Sequence, residues 1–218
     1  VGEELKMELA FKVKDIFNPD DKLARWVLKL AIARNDMLHV HKQLLEAFDA
    51  NSDNNIGESV YLFRIAVSHL REIIKLTTFG YENQNINSFI RKMDLETQKH
   101  YEMLIFTKND LFLNEVLIPI RNNLFHYYDK DKDKEFNEKL NQMDDIEGKI
   151  KITGNFIKDV DYVFADEVSF NISLGNISYE DFVVRVKEIS SYMVSFISAA
   201  DTITGKYLDT KREHIRII

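Results

Sequence analysis

The segment Ile120-Arg121-Asn122-Asn123-Leu124-Phe125-His126-Tyr127 gathers three chemically useful residue types on one predicted helix. At ~100° per residue, Asn122 and His126 share a face one turn apart, and Arg121 and Asn123 flank Asn122. A histidine that titrates near neutral pH can take or give a proton. A guanidinium clamps a phosphate and stabilises the extra charge of a pentacovalent transition state. A side-chain amide orients either partner. RNA supplies its own nucleophile, the 2′-hydroxyl, so this set suits phosphodiester cleavage without a metal or other cofactor. Tyr127 and Tyr128 offer rings on which a base can stack, although adjacent aromatics after an apolar helix serve a core equally well.

The spacing gains weight when its chance frequency is worked out. With 9 Arg and 6 His in 218 residues, an Arg and a His separated by four to six residues arise about 0.7 times by chance. The chain has four: Arg34 with His39, Arg34 with His41, Arg64 with His69, and Arg121 with His126. Requiring Asn straight after the Arg lowers the expectation to about 0.06. Arg34-Asn35…His39 and Arg121-Asn122…His126 both survive. The first is read as a second substrate-binding element, Arg34, Asn35 and His39 lining the same cleft. A solvated face of a long amphipathic helix explains it as well.

Other chemistries find less support. There is no glycine-rich phosphate loop, HExxH, GxSxG or EF-hand loop. The absence of cysteine excludes a disulfide framework, a thiolate metal site and a Cys nucleophile. One Asp-x-x-His, Asp36 with His39 and His41 beyond it, leaves open a metal-dependent bundle enzyme if further helices supplied ligands. No metal site is expected.

The elements that must position these residues are mostly helices. Asn18-Pro19-Asp20-Asp21 reads as a helix start, with Asn18 as cap and Pro19 in the first turn. Leu23, Trp26, Val27, Leu30, Ala33, Met37, Leu44, Leu45 and Phe48 then follow a helical period. A second helix over 57–78 carries Val60, Phe63, Val67, Leu70, Ile74 and Leu76, with Gly80 as its stop. Its polar stripe, Arg64, Ser68, Arg71 and Lys75, is either a solvated face or an RNA-facing edge. A third helix is expected over 87–106 and a fourth over 109–128, with Pro119 either kinking it or marking a restart. A charged loop follows at 129–134, with a short helix over 134–143. The period then changes to two at Ile150 and Ile152, Tyr162 and Phe164, and Val168 to Leu174, which predicts a small β insertion at about 149–175. Ser178 and Asp181 form a capping box for a last long helix that buries Phe182, Val186, Ile189, Met193, Phe196, Ala200 and Ile203.

Residues 1–218 are thus read as a single, mainly α domain, a helical bundle with a small β insertion before its last long helix. A 45% hydrophobic and 30% charged chain can bury a core without staples, which excludes global disorder. A net charge of −7 argues against a bulk nucleic-acid coat but not against an enzyme that touches a few phosphates. No apolar run approaches the ~18 residues of a membrane span, and no basic-then-apolar signal pattern opens the chain. A cytoplasmic protein with no membrane partner is the expectation.

The RNNLFH hexapeptide, within IPIRNNLFHYY and late in a helical bundle, resembles the signature of the HEPN superfamily, Arg-x(4–6)-His with a polar residue after the Arg. The likeness extends over the bundle from about residue 20 to 207, though six residues carry its diagnostic part. The resemblance implies a compact α-helical bundle, to which 149–175 is an addition. It also implies a metal-independent endoribonuclease of prokaryotic phage defence or toxin–antitoxin systems. His126 would act as general acid/base, Arg121 would hold the scissile phosphate, and Asn122 would position the site, leaving a 2′,3′-cyclic phosphate and a 5′-hydroxyl. Such proteins usually form homodimers with their motifs facing across one cleft, and an antitoxin or regulatory protein is a further expected partner. Inactive members bind RNA or a protein, so a non-catalytic helical module is the alternative.

Overall fold

The computed structural model describes residues 8–49, 56–106 and 178–218, with residues 110, 112–118, 137–138, 140–142, 148–152, 154, 160–162, 164–165, 168 and 171 between them. The described residues are mainly α. The elements are β1 (Leu9–Ala10), α1 (Val13–Ile16), α2 (Lys22–Asp49), α3 (Ile56–Glu82), α4 (Gln84–Ile90) and α5 (Leu95–Glu102). A π-helical turn (Phe112–Leu117), β2 (Lys151–Ile152), β3 (Val160–Asp161) and the long α6 (Tyr179–Asp209) follow. A 3₁₀ turn (Arg212–His214) and β4 (Arg216–Ile217) end the chain.

Local chemistry sets the helix ends. Asp21, not Asn18, caps α2: its Oδ1 accepts from the amides of Leu23 and Ala24 at 2.8 and 3.3 Å. Asn18 instead accepts from Asp20 N at 2.9 Å in a turn ahead of the helix. The expected third helix is two. After α4 the chain turns, and the Gln98 amide donates to the free carbonyls of Met93 and Arg91. Asp94 then caps α5 through Thr97 N and Oγ1, both at 2.8 Å. Those bonds hold the Asp94 carboxyl below its ordinary pKa. The capping box of α6 forms as expected, Asp181 N donating to Ser178 Oγ at 3.0 Å and Ser178 Oγ to Asp181 Oδ2 at 2.9 Å. All seven residues expected on its buried face are buried.

The chain divides into two compact units. One takes residues 1–38, 72–105 and 192–218, the other 39–71 and 106–191. In the first, Trp26 is 2% exposed, donates from Nε1 to the Leu76 carbonyl at 3.0 Å and meets Tyr101 edge-on at 6.3 Å. Gly80 lies beneath both rings. An added Cβ there would sit 2.6 Å from Tyr101 Oη and 2.8 Å from Trp26, so the residue permits this close approach. It is not the helix stop expected of it, since α3 continues to Glu82. Burial raises the pKa of the Tyr101 phenol, which donates to the Thr77 carbonyl. Tyr207 stacks on Phe17 at 5.7 Å and donates to the Ile16 carbonyl at 2.9 Å. β1 and β4 pair antiparallel, Leu9 with Ile217 and Ala10 with Arg216, a contact with no local sequence signal.

In the second unit Phe182 takes Phe63 edge-on at 5.2 Å and Phe48 at 5.7 Å. The β insertion expected at 149–175 is corrected here. Among the described residues, Lys151–Ile152 and Val160–Asp161 form a two-residue ladder and no longer strand. The backbone is helical at Phe164, Ala165, Val168 and Asn171, where alternation predicted strand. Alternation reports which side chains are apolar, and single helical turns satisfy it too. The kink or restart expected at Pro119 and the charged loop expected at 129–134 lie outside the described residues. Of the helix expected over 134–143, only positions 137, 138 and 140 are described as helical. No described helix is long and apolar enough to cross a membrane.

Candidate functional site

Arg121, Asn122, Asn123, His126 and Tyr127 lie outside the described residues. The twin segment on α2 is described. Arg34 is engaged side-on by Asp201 of α6, with Nε at 2.7 Å from Oδ1 and Nη2 at 3.0 Å from Oδ2. Its Nη1 donates to Asn35 Oδ1 at 3.3 Å. The fork of the guanidinium is thus filled by a carboxylate, and a phosphate reaching Arg34 has to compete with Asp201. Arg34 is thus committed to Asp201, while His39 stands in solvent.

His41 has a partner of its own. Its Nε2 lies 2.7 Å from Ser190 Oγ of α6, and partial burial lowers its pKa, because the charged imidazolium loses hydration there. Asp36 is exposed. With His39 exposed and His41 against Ser190, the three residues of the metal reading do not converge. Among the described residues no three His, Asp or Glu side chains gather in a way that could hold a metal ion.

Of the polar stripe on α3, Lys75 pairs with Glu72 at 2.6 Å, while Ser68 Oγ is buried with no hydrogen-bond partner among the described residues. Two further arrangements carried no motif in the sequence. His100 Nδ1 lies 3.3 Å from Ser195 Oγ, which is also 3.5 Å from Met103 Sδ. Ser195 is 4% exposed, a helix-packing contact closed to a substrate. The second is a cavity of about 200 Å³ lined by Lys22, Arg25, Trp26, Lys29, Leu76 and Phe79. Its only sequence trace was a Lys/Arg repeat on α2, while its aromatic wall comes from α3.

No protein family profile matches the chain, no curated protein is detectably similar to it, and no solved structure resembles it. The likeness to the HEPN superfamily therefore rests on the hexapeptide and on the mainly helical class.

Proposed function

We propose that the protein is a HEPN-like, metal-independent endoribonuclease. The observation that carries this reading is the Arg121-Asn122-x-x-x-His126 spacing, in a chain whose described residues are mainly helical. In the proposed reaction the 2′-oxygen attacks the adjacent phosphorus, the P–O5′ bond breaks, and the products carry a 2′,3′-cyclic phosphate and a 5′-hydroxyl. One proton leaves the 2′-hydroxyl and another reaches the departing 5′-oxygen. In a homodimer the two copies of His126 divide these tasks. Arg121 stabilises the charge on the non-bridging oxygens, and Asn122 orients its neighbours. The same reading makes RNA the substrate and assigns a defence or toxin role, held in check by an antitoxin or regulatory protein.

Cleavage of a mixed RNA in EDTA tests it. His126→Ala is expected to lower the rate by about 10²- to 10⁴-fold. Unchanged cleavage by the variant, or strict metal dependence of the parent, would overturn the proposal. A second reading, a non-catalytic helical module that binds RNA or a protein, draws on Arg34. The twin of Arg121 is engaged by Asp201, so an Arg-Asn-x-x-x-His segment can serve packing. On that reading no cleavage is seen, and Arg121→Ala weakens binding alone.

A further inference from the structure

The first turns of α2 present three cations on one face. Lys22, Arg25 and Lys29 follow an i, i+3, i+7 spacing, which keeps them within about 60° of one another along about 10 Å of helix. All three are exposed, and no carboxylate pairs with any of them among the described residues. Arg25 donates from Nη1 to the Pro19 carbonyl, a neutral acceptor that holds the guanidinium at the start of α2 without bringing a counter-charge. Asp21, the nearest acid in the chain, is occupied by the amides of Leu23 and Ala24. In a protein of net charge −7, such a face is a local reversal of sign.

The cations border an aromatic wall. Phe79 is 45% exposed, and the Lys22 ammonium stands 5.1 Å from its ring centroid. Trp26 and Leu76 form a fixed floor, tied by the indole-to-carbonyl bond of 3.0 Å. The cavity between them, about 200 Å³, is smaller than the ~300–1,000 Å³ that encloses a free small molecule. It suits one unit of a polymer that continues past it.

We infer that the Lys22–Arg25–Lys29 face with the Phe79 ring is a binding subsite for single-stranded RNA, set apart from the Arg121–His126 motif in sequence. Positive charge tracking a backbone beside an aromatic platform is the combination that holds single strands without sequence preference. The base exchanges with the flexible lysine end over Phe79, and the freed ammonium joins Arg25 and Lys29 on the phosphates. An acidic peptide would use the cations but gain nothing specific from the ring. The inference rests on the ribonuclease reading for its choice of RNA, and gives that enzyme a second hold on its substrate.

The test uses the full chain and a fluorescein-labelled oligouridylate methylated at every 2′-oxygen, which cannot be cleaved by 2′-hydroxyl attack. Binding is followed by anisotropy across a salt series. Each cation on single-stranded phosphates contributes about 0.7 to the slope of log affinity against log salt. The triple variant Lys22→Gln, Arg25→Gln, Lys29→Gln is therefore expected to flatten the slope by about 2. Phe79→Ala is expected to weaken binding about tenfold with the slope unchanged. Lys29→Gln alone, expected to flatten the slope by about 0.7, keeps the test readable should the triple variant fail to fold. Equal affinity and slope in every variant would overturn the subsite. So would displacement by polyglutamate as effective as by the oligonucleotide, which would point to an acidic protein. Cation-dependent binding in a protein that leaves unmodified RNA intact would support the subsite and remove the nuclease reading alone. Cleavage with no dependence of binding on these residues would do the reverse.

Discussion

Two stretches of α2, little more than a turn apart, use their cations in opposite ways. At 22–29, Lys22, Arg25 and Lys29 are exposed, pair with no carboxylate among the described residues, and stand next to an exposed ring. At 34–35, Arg34 is held by both oxygens of Asp201 and by Asn35. The Arg34 segment carried the motif-like spacing and the other did not. What separates them is what the fold brings opposite. Asp201 is 167 positions from Arg34, and Phe79 is 57 from Lys22. A cation's availability is thus a tertiary property, and spacing along one helix measures only which cations share a face.

The largest effect is expected at the floor of the unpaired stretch. Trp26→Ala removes a fully buried indole and its bond to Leu76, and leaves a void above Gly80. A loss of about 3–5 kcal/mol of stability is expected, read as a lowered urea midpoint. Binding of the methylated oligouridylate should weaken with it, because the cations would lose their fixed backing. A loss under about 1 kcal/mol would mean that Trp26 is not a packed floor, and that the contrast between a scaffolded and a paired stretch does not hold.

The same contrast explains what was legible in the sequence. The buried face of α6 was read correctly at all seven positions, from Phe182 to Ile203, because periodicity and a local capping box determine it. Gly80 was misread as a helix stop. Glycine is favoured at helix ends, but here the cause is close approach by Trp26 and Tyr101, which no local pattern displays. The break between α4 and α5 was missed because Asp94 and Gln98 act through side-chain bonds, while the apolar period continues across them. The pairing of β1 with β4 joins the two ends of the described chain and could not be seen locally. For the candidate site, sequence supplied the Arg121–His126 spacing and the Arg34 twin. It supplied neither Asp201 as the partner of Arg34 nor Phe79 as the wall beside Lys22.

A smaller effect probes the paired stretch. Arg34 and Asp201 have side chains 27% and 53% exposed, so water and salt screen their attraction. Asp201→Asn is expected to cost about 0.3–1 kcal/mol, by urea unfolding at low ionic strength, and less in concentrated salt. An unchanged midpoint at both ionic strengths would mean that Arg34 is not held by the pair. It would then count with the unpaired cations, and the two stretches of α2 would no longer differ in kind.

The smallest expected effect concerns a third polar position on α2, where the fold neither exposes a charge nor pairs it but disfavours it. Burial lowers the pKa of His41 from its ordinary value of 6.5, with Ser190 Oγ as its neutral partner. Between the lowered folded value and 6.5, the unfolded chain binds a proton that the folded chain does not. This contribution to stability is therefore intact above about pH 6.5 and is lost as the pH falls through that window. His41→Gln cannot take up the proton, so its urea midpoint should fall less than the parent's as the pH is lowered from about 7 to about 5. Identical pH slopes would place His41 among the freely hydrated groups. α2 would then carry two treatments of polar side chains, cations left open and a cation paired, with no position at which the fold selects the uncharged form.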